Sequence, residues 1–233
     1  MNKNQTCPAN HLKTNQKMVG LKIIFEYLKN TYPDPKTELH YSTDFQLMVA
    51  VILSAQSTDR QVNKVTEKLF KKIKKPNDVI KMWFEKFRNW IKSIWLFNNK
   101  AKNIWKLSQI LSEKFKIPKT VEWLKKLPGI WEKSAKVIAH VLFDKLVIAV
   151  DTHVHRVVNR LWIVKTKNPE QTSKLLEKIV PNKYKVWAHH SLVLFGRYIC
   201  IARKPKCEMC GLNKICKYYK KITKAAKLQG LQS

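Results

Sequence analysis

Leu127-Pro128-Gly129-Ile130-Trp131-Glu132-Lys133-Ser134-Ala135 is the stretch on which the reading of this chain turns. Pro128-Gly129 marks a tight turn, and the residues from Glu132 to Phe143 carry helical spacing, with Lys133 in the first turn. Two short helices joined this way offer backbone N–H groups at the start of the second helix, where the helix dipole adds positive potential. Such a hairpin suits a phosphodiester and reads no bases. Taken alone it makes Lys133 a phosphate-contacting or solvated lysine. The helix dipole and Lys125, Lys126 and Lys136 nevertheless act against its ammonium form, toward a nucleophilic amine. One residue is out of place. A turn this compact calls for a second small residue two places after Gly129, and Trp131 stands there.

Outward from the hairpin the pattern is helical. Val62, Val65, Leu69 and Ile73 repeat on one face, as do Ile104, Leu107, Leu111 and Phe115, and then Leu175, Leu176, Ile179 and Val180 ahead of Pro181. Breaks fall at Pro33-Asp34-Pro35, Pro76-Asn77-Asp78, Ile117-Pro118, Pro128-Gly129 and Asn168-Pro169. No alternating strands with hairpin signals intervene, so the chain is expected to be all-α, with roughly ten helices. The apolar run Phe45 to Ala55 is too short to span a bilayer and reads as a buried core helix. The polar start, residues 1–17, reads as a flexible extension without a secretory apolar region. A soluble intracellular protein with no membrane partner is therefore expected.

Forty-six Lys and Arg against sixteen Asp and Glu leave a formal charge of +30. A surplus that large favours polyanions, and counterion release would make nucleic-acid binding strong and salt-dependent. Four of the five cysteines crowd into residues 200–216, as Cys200, Cys207, Cys210 and Cys216, spaced C-x6-C-x2-C-x5-C. In a reducing compartment such crowding points to one metal centre, and spacing alone leaves an iron–sulfur cubane and a tetrahedral zinc both open. Arg203, Lys204 and Lys206 would then lie on a clamped loop suited to phosphates. Upstream, Asp151 follows the apolar Val147 to Val150 and opens a helix, the place of a plain N-cap. A carboxylate held there can also serve as a catalytic charge. His153 and His155 are expected in helix packing or phosphate contact rather than as metal ligands.

In order along the chain, Leu53 to Lys64, the hairpin 127–135, Val150 to Arg156, His189 to Cys200 and the four cysteines resemble the endonuclease III family of DNA glycosylases, within the helix–hairpin–helix superfamily. The likeness spans roughly residues 18–220. It implies a two-domain all-α fold, with a six-helix barrel at 37–145 and a discontinuous cluster domain from 18–36 and 146–220, leaving 221–233 as a basic tail. It also implies a [4Fe-4S] cluster on Cys200, Cys207, Cys210 and Cys216. Lys133 matches the nucleophile and Asp151 the carboxylate that assists it. Gln56 matches the residue that fills the gap left by an extruded nucleotide, while Asp59 matches a pocket residue or caps a helix starting at Arg60. Leu127, Gly129, Ile130 and Trp131, with Arg203, Lys204 and Lys206, are the expected DNA contacts. The implied protein is a monomer of the cytoplasm and nucleoid. It would be a bifunctional DNA glycosylase and abasic-site lyase acting on duplex DNA with oxidised pyrimidines or abasic sites. A monofunctional glycosylase or a non-catalytic DNA-binding module is the alternative if Trp131 blocks the hairpin.

The family's hairpin runs Gly-hydrophobic-Gly, so Trp131 occupies its second glycine; Trp95 and Trp162 also stand where relatives commonly have glycine. The chain has eight tryptophans and five glycines, about 2% glycine where roughly 7% is usual. Two explanations stand: UGA codons that this lineage reads as glycine, or a genuine Trp131 that stacks on DNA at the lesion. Side chains forced to positive φ at such positions would cost roughly 1–2 kcal/mol each.

Overall fold

The computed structural model describes residues 8–114 and 116–230. Cys7 and Phe115 fall outside them. Among the described residues there are twelve helices and no strand: α1 (Pro8–Thr31), α2 (Asp44–Ser54), α3 (Asp59–Leu69), α4 (Pro76–Lys81), α5 (Phe84–Trp90), α6 (Phe97–Lys114), α7 (Val121–Leu124), α8 (Glu132–Phe143), α9 (Thr152–Arg160), α10 (Pro169–Ile179), α11 (Asn182–Tyr198) and α12 (Lys217–Gly230). Helix α1 reaches back to Pro8, so residues 8–17, expected to be flexible, are helical; proline opens the helix and no further proline follows before Pro33. Most of the basic stretch after 220 belongs to α12. The chain divides into two units, one formed by residues 36–149 and one by both ends, up to Pro35 and from Val150 onward.

The unit 36–149 is built around α2. Residues Phe45 to Leu53 are all buried, as a helix apolar on every side must be. Ile104, Leu107 and Leu111 of α6, Ala135 and Ile138 of α8, and Val62 and Leu69 of α3 join the same core. Ile73 joins it from the turn beyond α3, which ends at Leu69. Gln46 is the polar exception, with its capacity used: it accepts from Ser42 N at 2.7 Å and donates to Phe70 O at 2.9 Å and Ile73 O at 2.7 Å. Leaving such a group unmatched costs about 1–3 kcal/mol. Two helix junctions here lack the usual breakers. Trp83 precedes α5 at φ 65 and Leu96 precedes α6 at φ 57, both left-handed.

The unit made of the chain's ends centres on α11, which packs against α1 and α9. Phe25 of α1 stacks on Tyr184 of α11 at 5.2 Å, and the Tyr184 hydroxyl donates to Glu26 at 2.9 Å. Gly196 lets α9 approach, since a Cβ there would meet His153 Cβ at 3.0 Å. In α10 the buried face is Thr172, Ser173 and Leu176, while Leu175, expected inside, is exposed. The polar Thr172 wins a buried position because its hydroxyl has partners in Thr166 and His155.

Candidate functional site

The hairpin is set by one backbone position. Gly129 has φ 77, and a Cβ on it would lie 2.9 Å from Asn103 Cβ, so conformation and close packing both demand glycine. Leu127 and Ile130 are buried. Of these two residues only the backbone could meet a phosphate. Trp131 is the N-cap of α8, extended at φ −98 and ψ 175, with no side-chain cap and 79% exposure. Its backbone is therefore unstrained; the expected strain appears at Trp162 (φ 60) and at Trp83, which the sequence reading passed over. Trp95 is not at positive φ but its neighbour Leu96 is, and its indole is exposed.

Lys133 sits in the first turn of α8 with its side chain exposed. Two of the lysines expected to act on it have an acidic partner. Glu132 is ion-paired to Lys125 and, at 3.2 Å, to the buried Lys136. The hydrogen bond from Lys125, with a smaller share from Lys136, holds the Glu132 carboxyl below its ordinary range. The third, Lys126, lies 3.9 Å over the exposed Trp123 ring.

Gln56 lies just past the end of α2, exposed and left-handed at φ 56. Thr58, not Asp59, caps α3 by accepting from Gln61 N at 3.2 Å, and Asp59 falls inside the helix's first turn. A hydroxyl one residue earlier in the chain thus took the capping role that was one of two readings of the carboxylate.

In the other unit Asp151 is the N-cap of α9, its Oδ1 accepting from Val154 N at 2.8 Å. His155 hydrogen-bonds Thr172 at 2.7 Å and His153 packs beside Gly196, so both work in helix packing. Burial pushes the His153 imidazole toward its neutral form, against the pull of Asp151.

Cys200, Cys207, Cys210 and Cys216 line one pocket beneath α12, together with Lys206. Burial pushes the Cys207 and Cys210 thiols up, and each is raised further by the neighbouring cysteines. All four cysteines line the pocket, while among the described residues no three His, Cys, Asp or Glu are gathered as for a single ion. Four thiols around a part-buried pocket are the donor set an iron–sulfur core takes. Arg203, Lys204 and Lys206 are exposed on this loop, Lys204 at φ 51.

Two residues that the sequence reading missed hold the loop's first arm. Arg156 donates to Cys200 O at 3.0 Å and Gly196 O at 2.7 Å. Arg160 donates to Ile201 O at 2.7 Å and Ala202 O at 2.8 Å, approaches Cys200 Sγ at 3.6 Å and lies 4.3 Å over the Tyr218 ring. Their four-residue spacing puts both on one face of α9, a signal available in the sequence.

Family models match in the corresponding places. That of the HhH-GPD superfamily base excision DNA repair proteins covers residues 49–182, and the iron–sulfur binding domain of endonuclease III covers 200–216. Fold, hairpin and cysteine loop thus define a base excision DNA repair protein of the helix–hairpin–helix class. Endonuclease III of Rickettsia conorii is 46% identical over 198 residues, 84% of this chain and 94% of that protein. A non-covalent endonuclease III–DNA complex matches at TM-score 0.83 and 38% identity, over 89% of this chain and 98% of that one. A trapped endonuclease III–DNA covalent intermediate matches at TM-score 0.82 and 39% identity, over 88% and 98%. The chain belongs to the endonuclease III family: it is a bifunctional DNA glycosylase and abasic-site lyase of base excision repair, with an iron–sulfur cluster as cofactor. Among the described residues no helix is long and apolar enough to cross a membrane.

Proposed function

We propose that Lys133 is the nucleophile and that the enzyme removes oxidised or ring-saturated pyrimidines from duplex DNA and cuts at abasic sites. The observation that carries this reading is the Gly129 hairpin, which puts an exposed lysine in the first turn of α8. The Lys133 amine attacks C1′ of the flipped nucleoside; the N–C1′ bond forms as the glycosidic bond breaks, and the base leaves with that electron pair. The C1′–O4′ bond then breaks, O4′ taking up a proton as the nitrogen lone pair forms the Schiff base. That iminium acidifies the C2′ proton, and its loss to a base expels the 3′ phosphate by β-elimination. Asp151 assists by accepting the amine's proton and by countering positive charge on the sugar. A carboxylate already ordered by its cap to Val154 suits that task. Gln56 fills the gap left by the extruded nucleotide, offsetting part of a flipping cost of a few kcal/mol.

The hairpin backbone at Leu127, Gly129 and Ile130, with Trp131, Arg203, Lys204 and Lys206, grips the DNA backbone. The formal charge of +30 supports a large phosphate contribution to affinity. Cys200, Cys207, Cys210 and Cys216 hold the [4Fe-4S] cluster, which fixes the loop bearing these cations; the amine chemistry needs no electron from it. The enzyme acts as a monomer in the cytoplasm, on the nucleoid.

Borohydride trapping on a duplex with one abasic site tests the reading. A covalent adduct that is lost in Lys133→Ala, while that variant still binds DNA, is the expected result. DNA binding without trapping in the parent chain, and in a version with glycine at 95, 131 and 162, would overturn the lysine assignment. Trapping by the glycine version alone would show that Trp131 obstructs the site.

A further inference from the structure

Helix α2 ends at Ser54, and the chain reverses over Ala55-Gln56-Ser57 to reach Thr58, the cap of α3. The turn has little backbone bonding of its own: Ala55 N reaches Ile52 O at 3.4 Å and Ser57 N reaches Ser54 O at 3.1 Å. Gln56 is also held left-handed, a conformation that side chains disfavour. What braces the turn comes from α6. Lys100 is 5% exposed, and its Nζ donates to Leu53 O at 2.8 Å, to Ala55 O at 2.6 Å and to Ser57 Oγ at 3.3 Å.

An ammonium has three donors and no acceptor. All three are spent here, on two carbonyls ahead of Gln56 and one hydroxyl behind it. A cation at the C-terminal end of α2 also matches the negative pole of that helix, and charge-assisted bonds of this kind are about twice as strong as neutral ones. Burial lowers the Lys100 pKa from the ordinary lysine value, because desolvation opposes the ammonium form. The amine chemistry has no use for Lys100.

We propose that Lys100 is the positioning residue that sets Gln56 to occupy the gap left by the extruded nucleotide. The proposal rests on the reading of Gln56 given above. Through Lys100 the filler is aimed from the turn's flanks rather than by its own intrinsic preference. Weakening the brace lets Gln56 leave the left-handed region, and the flipped state loses its support.

The test compares single-turnover excision of thymine glycol with β-elimination at a preformed abasic site, in the cluster-loaded protein and in Lys100→Met, Gln56→Ala and the double variant. An abasic site has no base to unstack, so flipping support matters less to it. Lys100→Met is expected to lower the excision-to-lyase ratio roughly tenfold, the worth of a lost bond to a charged group. Gln56→Ala should lower it similarly, and the double variant should go no further. A ratio lowered by Gln56→Ala but unmoved by Lys100→Met overturns the proposal alone, as does full additivity in the double variant. A ratio unmoved by Gln56→Ala sinks the reading of Gln56 itself and the proposal with it. Should Lys100→Met not fold, Ser57→Ala removes one contact and leaves the core intact; it is expected to shift the ratio about twofold in the same direction, and no shift overturns the proposal.

Discussion

The hairpin at 127–131 and the turn at 55–57 both reverse the chain between helices of the same unit, and each leads to a residue assigned to the chemistry. The hairpin is fixed from within. Gly129 at φ 77 adopts a conformation natural to glycine, and Asn103 leaves no room for a Cβ. The turn at 55–57 is fixed from outside, by a lysine 43 to 47 residues away that brackets a left-handed glutamine. The first device needs only the right residue in the right place. The second holds a side chain where glycine would sit more comfortably, as a filler requires. A turn that must present a side chain cannot use the residue that lacks one.

The largest effect is expected where conformation and packing coincide. Gly129→Ala adds a strained φ and a contact at 2.9 Å, and should cost about 3 kcal/mol by urea denaturation. A loss under about 1 kcal/mol would mean that the hairpin is not fixed from within. The next effect has the opposite sign. Trp162→Gly relieves a left-handed tryptophan, exposed on its surface, and should stabilise by about 1–2 kcal/mol in the same assay. Gln56→Gly sharpens the contrast further: stability should rise by up to about 1 kcal/mol while excision falls, separating conformational ease from function.

The smallest effect is pH-dependent and belongs to the hairpin. The Glu132 carboxyl is held below its ordinary 4.5 by Lys125 and Lys136, so its contribution is present above that value and is lost as pH falls through the lowered one. The carboxylate is half exposed. The loss should be a few tenths of a kcal/mol, diminished by salt, and absent in Glu132→Gln.

Much of this architecture is legible in the sequence because its signals are local. Proline and asparagine mark α4 and α10, apolar residues crowd α2, and Pro128-Gly129 marks the hairpin. The junctions at Trp83 and Leu96 were hidden because neither residue announces a break. Lys100, Arg156 and Arg160 were hidden because a long cation looks like surface charge until its distant carbonyls are in view. The capping reading of Asp59 failed because Thr58, one residue earlier, caps equally well.

Seven of the eight tryptophans separate in the structure; Trp123 is exposed but lies inside α7. Trp90, Trp105 and Trp187 are half-buried, the first two against the core and the third beneath Lys29. Trp83, Trp95, Trp131 and Trp162 are exposed at helix junctions. UGA codons are expected at the second group and UGG at the first, and UGG at 83, 95, 131 and 162 would make those indoles the chain's own.

The unit that holds the cysteine pocket is assembled from both ends of the chain. Gly211, next to Cys210, packs on Tyr27 of α1, where a Cβ would collide with the ring, and its N–H reaches the Tyr27 hydroxyl at 3.3 Å. On the ribosome, residues 36–149 can condense as soon as they emerge. Helix α1 must wait for α11, its packing partner, to leave the exit tunnel, and a chain truncated before Asn182 would carry a finished 36–149 unit and an orphaned α1.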